Sequence, residues 1–203
     1  MAPLKLSYFN IRGLAEHIRM LLLDQGVEFE DDHDYFSLSA GQCPFLTQPD
    51  GRQIPQSGAI MRHLARVHGV YGDTEEERTL LDYTADGVHD LRLKYYQIIY
   101  RKYEQKEEFL AQTLPGQLQP LETILAQRPS PDAVFLLGDR IGYTDYILWE
   151  LLDCLLVMSA GCLDAFPRLK AYHGGLPSAR PKLAAYLASE KRKNLPLNNN
   201  GKV

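Results

Sequence analysis

The chain has 203 residues, enough for one large domain or two small ones, each with its own core. Its 45% hydrophobic and 24% charged content is that of an ordinary globular protein, neither disordered nor fibrous. A net charge of −4 supplies no basic field to draw it to nucleic acid or to an anionic lipid surface, so neither is expected as a partner.

Met1-Ala2-Pro3-Leu4-Lys5 leads directly into a strand-like stretch, without an apolar leader or cleavage site. The most apolar run, Ile147 to Leu163, is broken by Glu150 and Asp153 and is too short to cross a bilayer. The three cysteines, Cys43, Cys154 and Cys162, are odd in number and lack metal spacing. A reducing, cytoplasmic location is expected, and no metal is assigned.

Leu4–Phe9 alternates like a strand, and Asn10-Ile11-Arg12-Gly13 reads as the loop leaving it. Ala15 to Asp24 has helical spacing, with Gly26 as its stop. Val27 to Phe29 begins a second strand that dissolves into the acidic run Glu28 to Asp34, read as a solvated loop. Phe45-Leu46-Thr47 and Arg52-Gln53-Ile54 flank an Asp50-Gly51 turn as a hairpin, weakened by Pro49 and Pro55. A helix then opens at Gln56-Ser57-Gly58, with Ser57 expected at its N-cap and Ile60, Leu64 and Val67 on its buried stripe. These stretches make a small mixed α/β unit spanning residues 1–72.

Gly69 to Asp73 reads as a linker, after which the character changes. Thr74-Glu75-Glu76-Glu77 is a capping box, and a helical period runs from Leu81 through Tyr103. A second helix is expected from about Glu107 to Gln127, interrupted near Leu114-Pro115-Gly116. A buried helix follows over Tyr143 to Val157, with shorter ones over Phe166–Tyr172 and Arg180–Ala188. No strand pattern survives after residue 75, so residues 75–203 are expected to form an all-helical domain.

Three stretches of the first unit carry chemistry. Tyr8, at the C-terminal end of the first strand, presents a hydroxyl where α/β units place ligands, although tyrosine packing is the commoner use. Gln42-Cys43-Pro44, just before a strand, suits a cis proline that turns the Cys43 backbone outward to pair with an extended peptide; a plain loop proline is the commoner case. The helix start at Gln56 and Ser57 offers free amides to an anion, though most such helices bind nothing. Together they suit a short peptide with a central thiol and a terminal carboxylate.

The chain resembles the cytosolic glutathione S-transferases. It is closest to their pi class, with a sigma-like Arg12-Gly13-Leu14-Ala15-Glu16 start. The resemblance is carried by Tyr8-Phe9, Gln56-Ser57-Gly58-Ala59-Ile60, Asp86 to Arg92, Leu114-Pro115-Gly116-Gln117-Leu118, Gly138 to Tyr146 and Cys162 to Pro167. It implies an α/β thioredoxin-like N-terminal domain plus an all-α C-terminal domain, working as a homodimer. By the same resemblance Tyr8 is the catalytic residue, holding the sulfur of the co-substrate glutathione as thiolate for attack on small hydrophobic electrophiles. The Cys43 backbone next to Pro44 pairs with the cysteinyl part of glutathione, Gln56 and Ser57 hold the γ-glutamyl carboxylate, and Gln42 is also glutathione-binding. Asp90 reaches glutathione on the other subunit, while Phe9, Ile11 and Tyr100 line the electrophile pocket. The alternative on this fold is a catalytically weak protein that carries apolar ligands or docks on signalling proteins.

The chain also departs from that family. The segment between Phe29 and Pro44 is shorter than in the pi class by roughly ten residues, a surface-loop change. It removes the tryptophan and lysine that grip the glycine end of glutathione, and Leu14 stands where an arginine is usual. About three polar contacts at roughly 1 kcal/mol each correspond to glutathione binding weakened by tenfold to a thousandfold. Arg12, Gln42 and His33 are the candidates to compensate. Ala40 replaces the aromatic that enters the partner subunit, which predicts a weakened dimer. Cys43 replaces a leucine, and Gly142 replaces the Ser or Thr cap of the buried helix, where Asp145 retains the capping-box carboxylate.

Overall fold

The computed structural model describes residues 2–34, 42–130 and 132–203. The chain gathers into two compact units, one of Met1–Val70 with Arg180–Asn199 and one of Tyr71–Ala179 with Asn200–Val203.

The first unit is built on a four-stranded sheet in the order β2-β1-β3-β4. Strand β1 (Leu4–Ser7) is followed by a 3-10 turn at Gly13–Ala15 and helix α1 (Glu16–Asp24), which carries the chain over to β2 (Phe29–Asp32). β1 and β2 pair in parallel, as a helical crossover requires. β3 (Phe45–Thr47) runs antiparallel to β1, and β4 (Gln53–Pro55) antiparallel to β3. Helix α2 (Ser57–Val67) closes the motif. Leu6, Leu46, Ile18, Leu22, Ile60 and Met61 are fully buried and form its core.

Three sequence expectations need correction here, and the simplest is Val67, expected on the buried stripe of α2 but 62% exposed. The acidic run is not a solvated loop: Phe29–Asp32 is a strand, and its carboxylates are neutralised from three elements. Asp31 meets Arg19 of α1 at 3.0 Å and Lys191 at 3.3 Å. Asp32 meets Lys5 at 3.2 Å and accepts from the Ser7 hydroxyl at 3.0 Å. Burial opposes ionisation of Asp32, but the donors from Asp34, Lys5 and Ser7 outweigh it and hold the carboxyl below its usual range. Ser57 is not the N-cap of α2; it is the first helical residue, and Gln56 occupies the cap position with no side-chain cap bond.

The C-terminal part of the chain also groups differently from the expected 75–203 domain. Helix α8 (Pro181–Ala188) and the short α9 (Glu190–Lys193) cluster with the first unit. Arg180 pairs with Asp24 at 2.8 Å, and Tyr186 donates to Glu16, which is fully buried. These partners lie more than 150 positions apart in the chain, a separation that periodicity does not read.

In the second unit, helix α3 (Glu75–Arg101) starts at a complete capping box between Thr74 and Glu77. A one-turn α4 (Lys106–Glu108) leads into a π-helical stretch, Phe109–Thr113, and then α5 (Leu114–Ala126). Pro115 has no N–H to give back to Ala111, so the break expected near it takes the form of this widened turn. Helix α6 (Tyr143–Met158) is buried along nearly its whole length, and α7 (Pro167–Ala179) packs beside it. Asp145 caps α6, accepting from Gly142 N–H at 2.7 Å, Leu136 N–H at 2.9 Å and the Tyr172 hydroxyl at 2.8 Å. A Cβ at Gly142 would stand 2.5 Å from the fully buried Leu81, which accounts for glycine at this cap. Among the described residues, no strand forms after residue 75; Phe135 and Gly138 make an isolated bridge.

Candidate functional site

The sheet register gathers three of the expected stretches. Ser7 pairs with Phe45, and Phe45 pairs with Pro55. Tyr8, Pro44 and Gln56 each stand one residue beyond that row, so all three lie at the same end of the sheet. Asp32 faces Ser7 on the other side of β1, which brings His33 to the same end; its Nδ1 lies 3.3 Å from the Tyr8 carbonyl.

Tyr8 is 7% exposed. Its hydroxyl oxygen accepts the Leu14 N–H at 3.1 Å, where the chain turns from β1 into α1. That bond polarises the O–H and so strengthens it as a donor to an anion. The approach is close: a Cβ on Gly13, whose φ is +43°, would lie 2.6 Å from the Tyr8 oxygen. Only glycine admits the tyrosine here.

The Cys43-Pro44 bond is cis, as the loop chemistry suggested. Cys43 is half-buried, and burial pushes its thiol pKa up, making it a poor thiolate. Gln56 has φ 72° and is the one non-glycine residue with positive φ among those described. Strain of that kind, worth about 1–3 kcal/mol, concentrates where a ligand is clamped. The Gln56 side chain donates to Gln42 Oε1 at 2.8 Å, joining two of the expected glutathione-binding residues. Ser57 is half-buried on the first turn of α2, beside amides that no side chain caps.

Tyr8, Gln42, Cys43, Pro44, Gln56 and Ser57 thus belong to one end of the first unit. Phe9 sets its ring edge-on to Tyr8, centroids 5.3 Å apart, and Ile11 is buried in the same loop. Asp90 and Tyr100 are in the second unit, both exposed on α3; the Tyr100 ring lies 5.7 Å from Tyr96. Of the compensating candidates, Arg12 is 5% exposed, Gln42 is engaged with Gln56, and His33 stands by Tyr8. Ala40 lies outside the described residues. Among the described residues no group of three potential metal ligands stands together.

The family described as "Glutathione S-transferase, C-terminal domain" matches residues 89–190. The chain is 44% identical to human glutathione S-transferase P over 212 residues, covering 100% of both. It is also 44% identical to a glutathione S-transferase of Dirofilaria immitis, covering 98% of each. The chain belongs to the glutathione S-transferases. Among solved structures of that family, the pi-class enzyme of Onchocerca volvulus superposes with a TM-score of 0.92 at 43% identity, covering 100% of both chains. The sigma-class enzyme of Fasciola hepatica superposes at 0.82 and 32% identity, over 93% of this chain and 98% of that one. The thioredoxin-like and all-α fold class expected from the sequence is therefore the fold of this glutathione transferase.

Sequence reasoning missed the groups that hold Tyr8 in place. The Leu14 amide donor and the Gly13 contact leave no side-chain signature. Arg19 is 1% exposed and donates to the Ile11 carbonyl at 2.8 Å, a contact that helical periodicity does not mark.

Proposed function

We propose that this glutathione transferase activates the glutathione thiol with Tyr8 and transfers the sulfur to small hydrophobic electrophiles. An ordinary thiol has a pKa of about 8.5, so a hydroxyl that donates to the anion enlarges the reactive fraction near neutral pH. The observation that carries this reading is the Leu14 N–H bond to the Tyr8 oxygen, which polarises the hydroxyl at the end of the sheet. Cys43 and Pro44, with the Gln42 and Gln56 pair beside them, hold the peptide backbone of glutathione. Ser57 and the start of α2 take its γ-glutamyl carboxylate. Asp90 serves the glutathione of a second copy in a homodimer, and Phe9, Ile11 and Tyr100 contact the electrophile. The intact Tyr8 end favours this over a ligand carrier of the same fold.

Calorimetric titration with glutathione, alongside conjugation of a chlorinated dinitrobenzene, tests the proposal. Micromolar to low-millimolar binding is expected, and Tyr8→Phe is expected to lower kcat roughly a hundredfold while changing affinity little. Equal turnover by Tyr8→Phe would sink the thiolate role.

A further inference from the structure

The loop that leaves β1 sets the Tyr8 hydroxyl, and its backbone is held from two sides. From α1, Arg19 donates to the Ile11 carbonyl at 2.8 Å while its Nε reaches Asp31 at 3.0 Å. From the other side, the chain returning after α9 lays two carbonyls on the loop. Arg12 N–H donates to Pro196 O at 2.8 Å, and Gly13 N–H donates to Leu197 O at 3.3 Å. Both amides stand at the start of the 3-10 turn, where no helical carbonyl is available to them.

The returning segment is itself anchored on α1. Arg192 Nε bonds Glu16 Oε1 at 3.1 Å, and the Tyr186 hydroxyl bonds both Glu16 oxygens at 3.1 Å. Glu16 is fully buried, so its charge depends on these donors and on Arg19 at 3.6 Å. Glu16 follows Gly13 by three residues, and its own N–H returns to Arg12 O at 3.0 Å.

We propose that Arg192 and Glu16 are positioning residues for Tyr8, holding the Pro196–Leu197 backbone against the Arg12 and Gly13 amides and so fixing the Leu14 N–H on the Tyr8 oxygen. This rests on the reading of Tyr8 as the group that holds the thiolate. The contact has little slack, because the Gly13 backbone lies so close to Tyr8 that a Cβ there would stand 2.6 Å from the hydroxyl oxygen and 2.8 Å from Cε1. A shift of Gly13 moves either the ring or the Leu14 amide, and the hydroxyl then donates less well to sulfur. The glutathione contacts at Cys43, Gln56 and Ser57 do not pass through this segment, so affinity and thiolate stabilisation separate.

The experiment compares Arg192→Ala, Tyr186→Phe and the rescue variant Arg192→Lys with the parent and with Tyr8→Phe. Three readouts are taken: exchange of the Arg12 and Gly13 amides, the ultraviolet signature of bound thiolate, and the pH profile of kcat/KM for the electrophile at saturating glutathione. In Arg192→Ala the two amides should exchange faster and the acid limb should move up by about half a pH unit to one unit, roughly a 3- to 10-fold loss below neutrality. The glutathione Kd should stay within about twofold, and Arg192→Lys should recover part of the limb. Tyr186→Phe, which removes one hydroxyl, carries the test if Arg192→Ala does not fold. Faster amide exchange with an unmoved acid limb would overturn the proposal, as would unchanged exchange. An unmoved limb in Tyr8→Phe would overturn the thiolate reading instead, whatever the Arg192 variants did.

Discussion

At the scale of single residues, Gly13 shows how little room Tyr8 has. Its φ of +43° is strained for any side chain, and a Cβ would also meet Tyr8 Cε1 at 2.8 Å. Gly13→Ala must therefore move the Tyr8 ring or the backbone that carries Leu14 N–H. The expected outcome is a stability loss of about 1–3 kcal/mol together with a drop in kcat of tenfold or more. Thermal melts and turnover on the same preparation check it. Full activity in a stable Gly13→Ala protein would mean that the Tyr8 oxygen does not need this geometry. In the sequence Gly13 reads only as a loop residue, because its role lies in a contact five positions back that turn chemistry does not encode.

At the scale of elements, what was legible is what local chemistry dictates. The capping box at Thr74, the buried helix at Tyr143, the hairpin around Asp50-Gly51 and the cis proline follow from residues close in sequence, and they form. Strand β2 was misread because Glu30, Asp31 and Asp32 look solvated until Lys5, Arg19 and Lys191 arrive from elsewhere. The candidate site divides the same way: Gln42, Pro44 and Gln56 stand in stretches that the sequence marks, whereas Arg19, Glu16 and Arg192 are held by partners that no periodicity connects. Asp145 gives an element-scale prediction. Burial pushes its carboxyl up to about 6, while the donors from Gly142, Leu136 and Tyr172 restrain the rise. A carboxyl whose folded pKa exceeds its unfolded one binds more protons in the folded state, so its contribution is complete below about pH 4 and is lost as pH rises through about 6. The loss is roughly 3 kcal/mol across that window. The stability advantage of the parent over Asp145→Asn should accordingly shrink between those two pH values in denaturant melts. An advantage that grows with pH would show that the three donors, not burial, govern this carboxyl.

At the scale of the whole molecule, the open question is assembly. In the second unit, a groove between α3 and α5 is lined by Tyr83, Gly87, Gly116, Pro120 and Ile124, with Asp90 among its walls. Tyr83 is 48% exposed there, a large apolar side chain left for a partner to cover. In the proposed homodimer the family's aromatic key is Ala40, and a two-fold interface repeats that loss in both copies. Fully burying a side chain of phenylalanine size is worth about 1.5–3 kcal/mol, so its loss forfeits up to roughly 2–3 kcal/mol per copy. Twice that is roughly a thousandfold to ten-thousandfold in the dimer dissociation constant. Sedimentation should therefore show the parent dissociating as it is diluted towards nanomolar concentration, with Ala40→Tyr restoring a tight dimer. Because Asp90 is proposed to serve the glutathione of the second copy, KM for glutathione should rise on dilution in the parent and stay constant in Ala40→Tyr. A parent dimer that remains whole at nanomolar concentration would refute the weakened assembly. A KM independent of dilution, in a protein that does dissociate, would detach Asp90 from the partner's site.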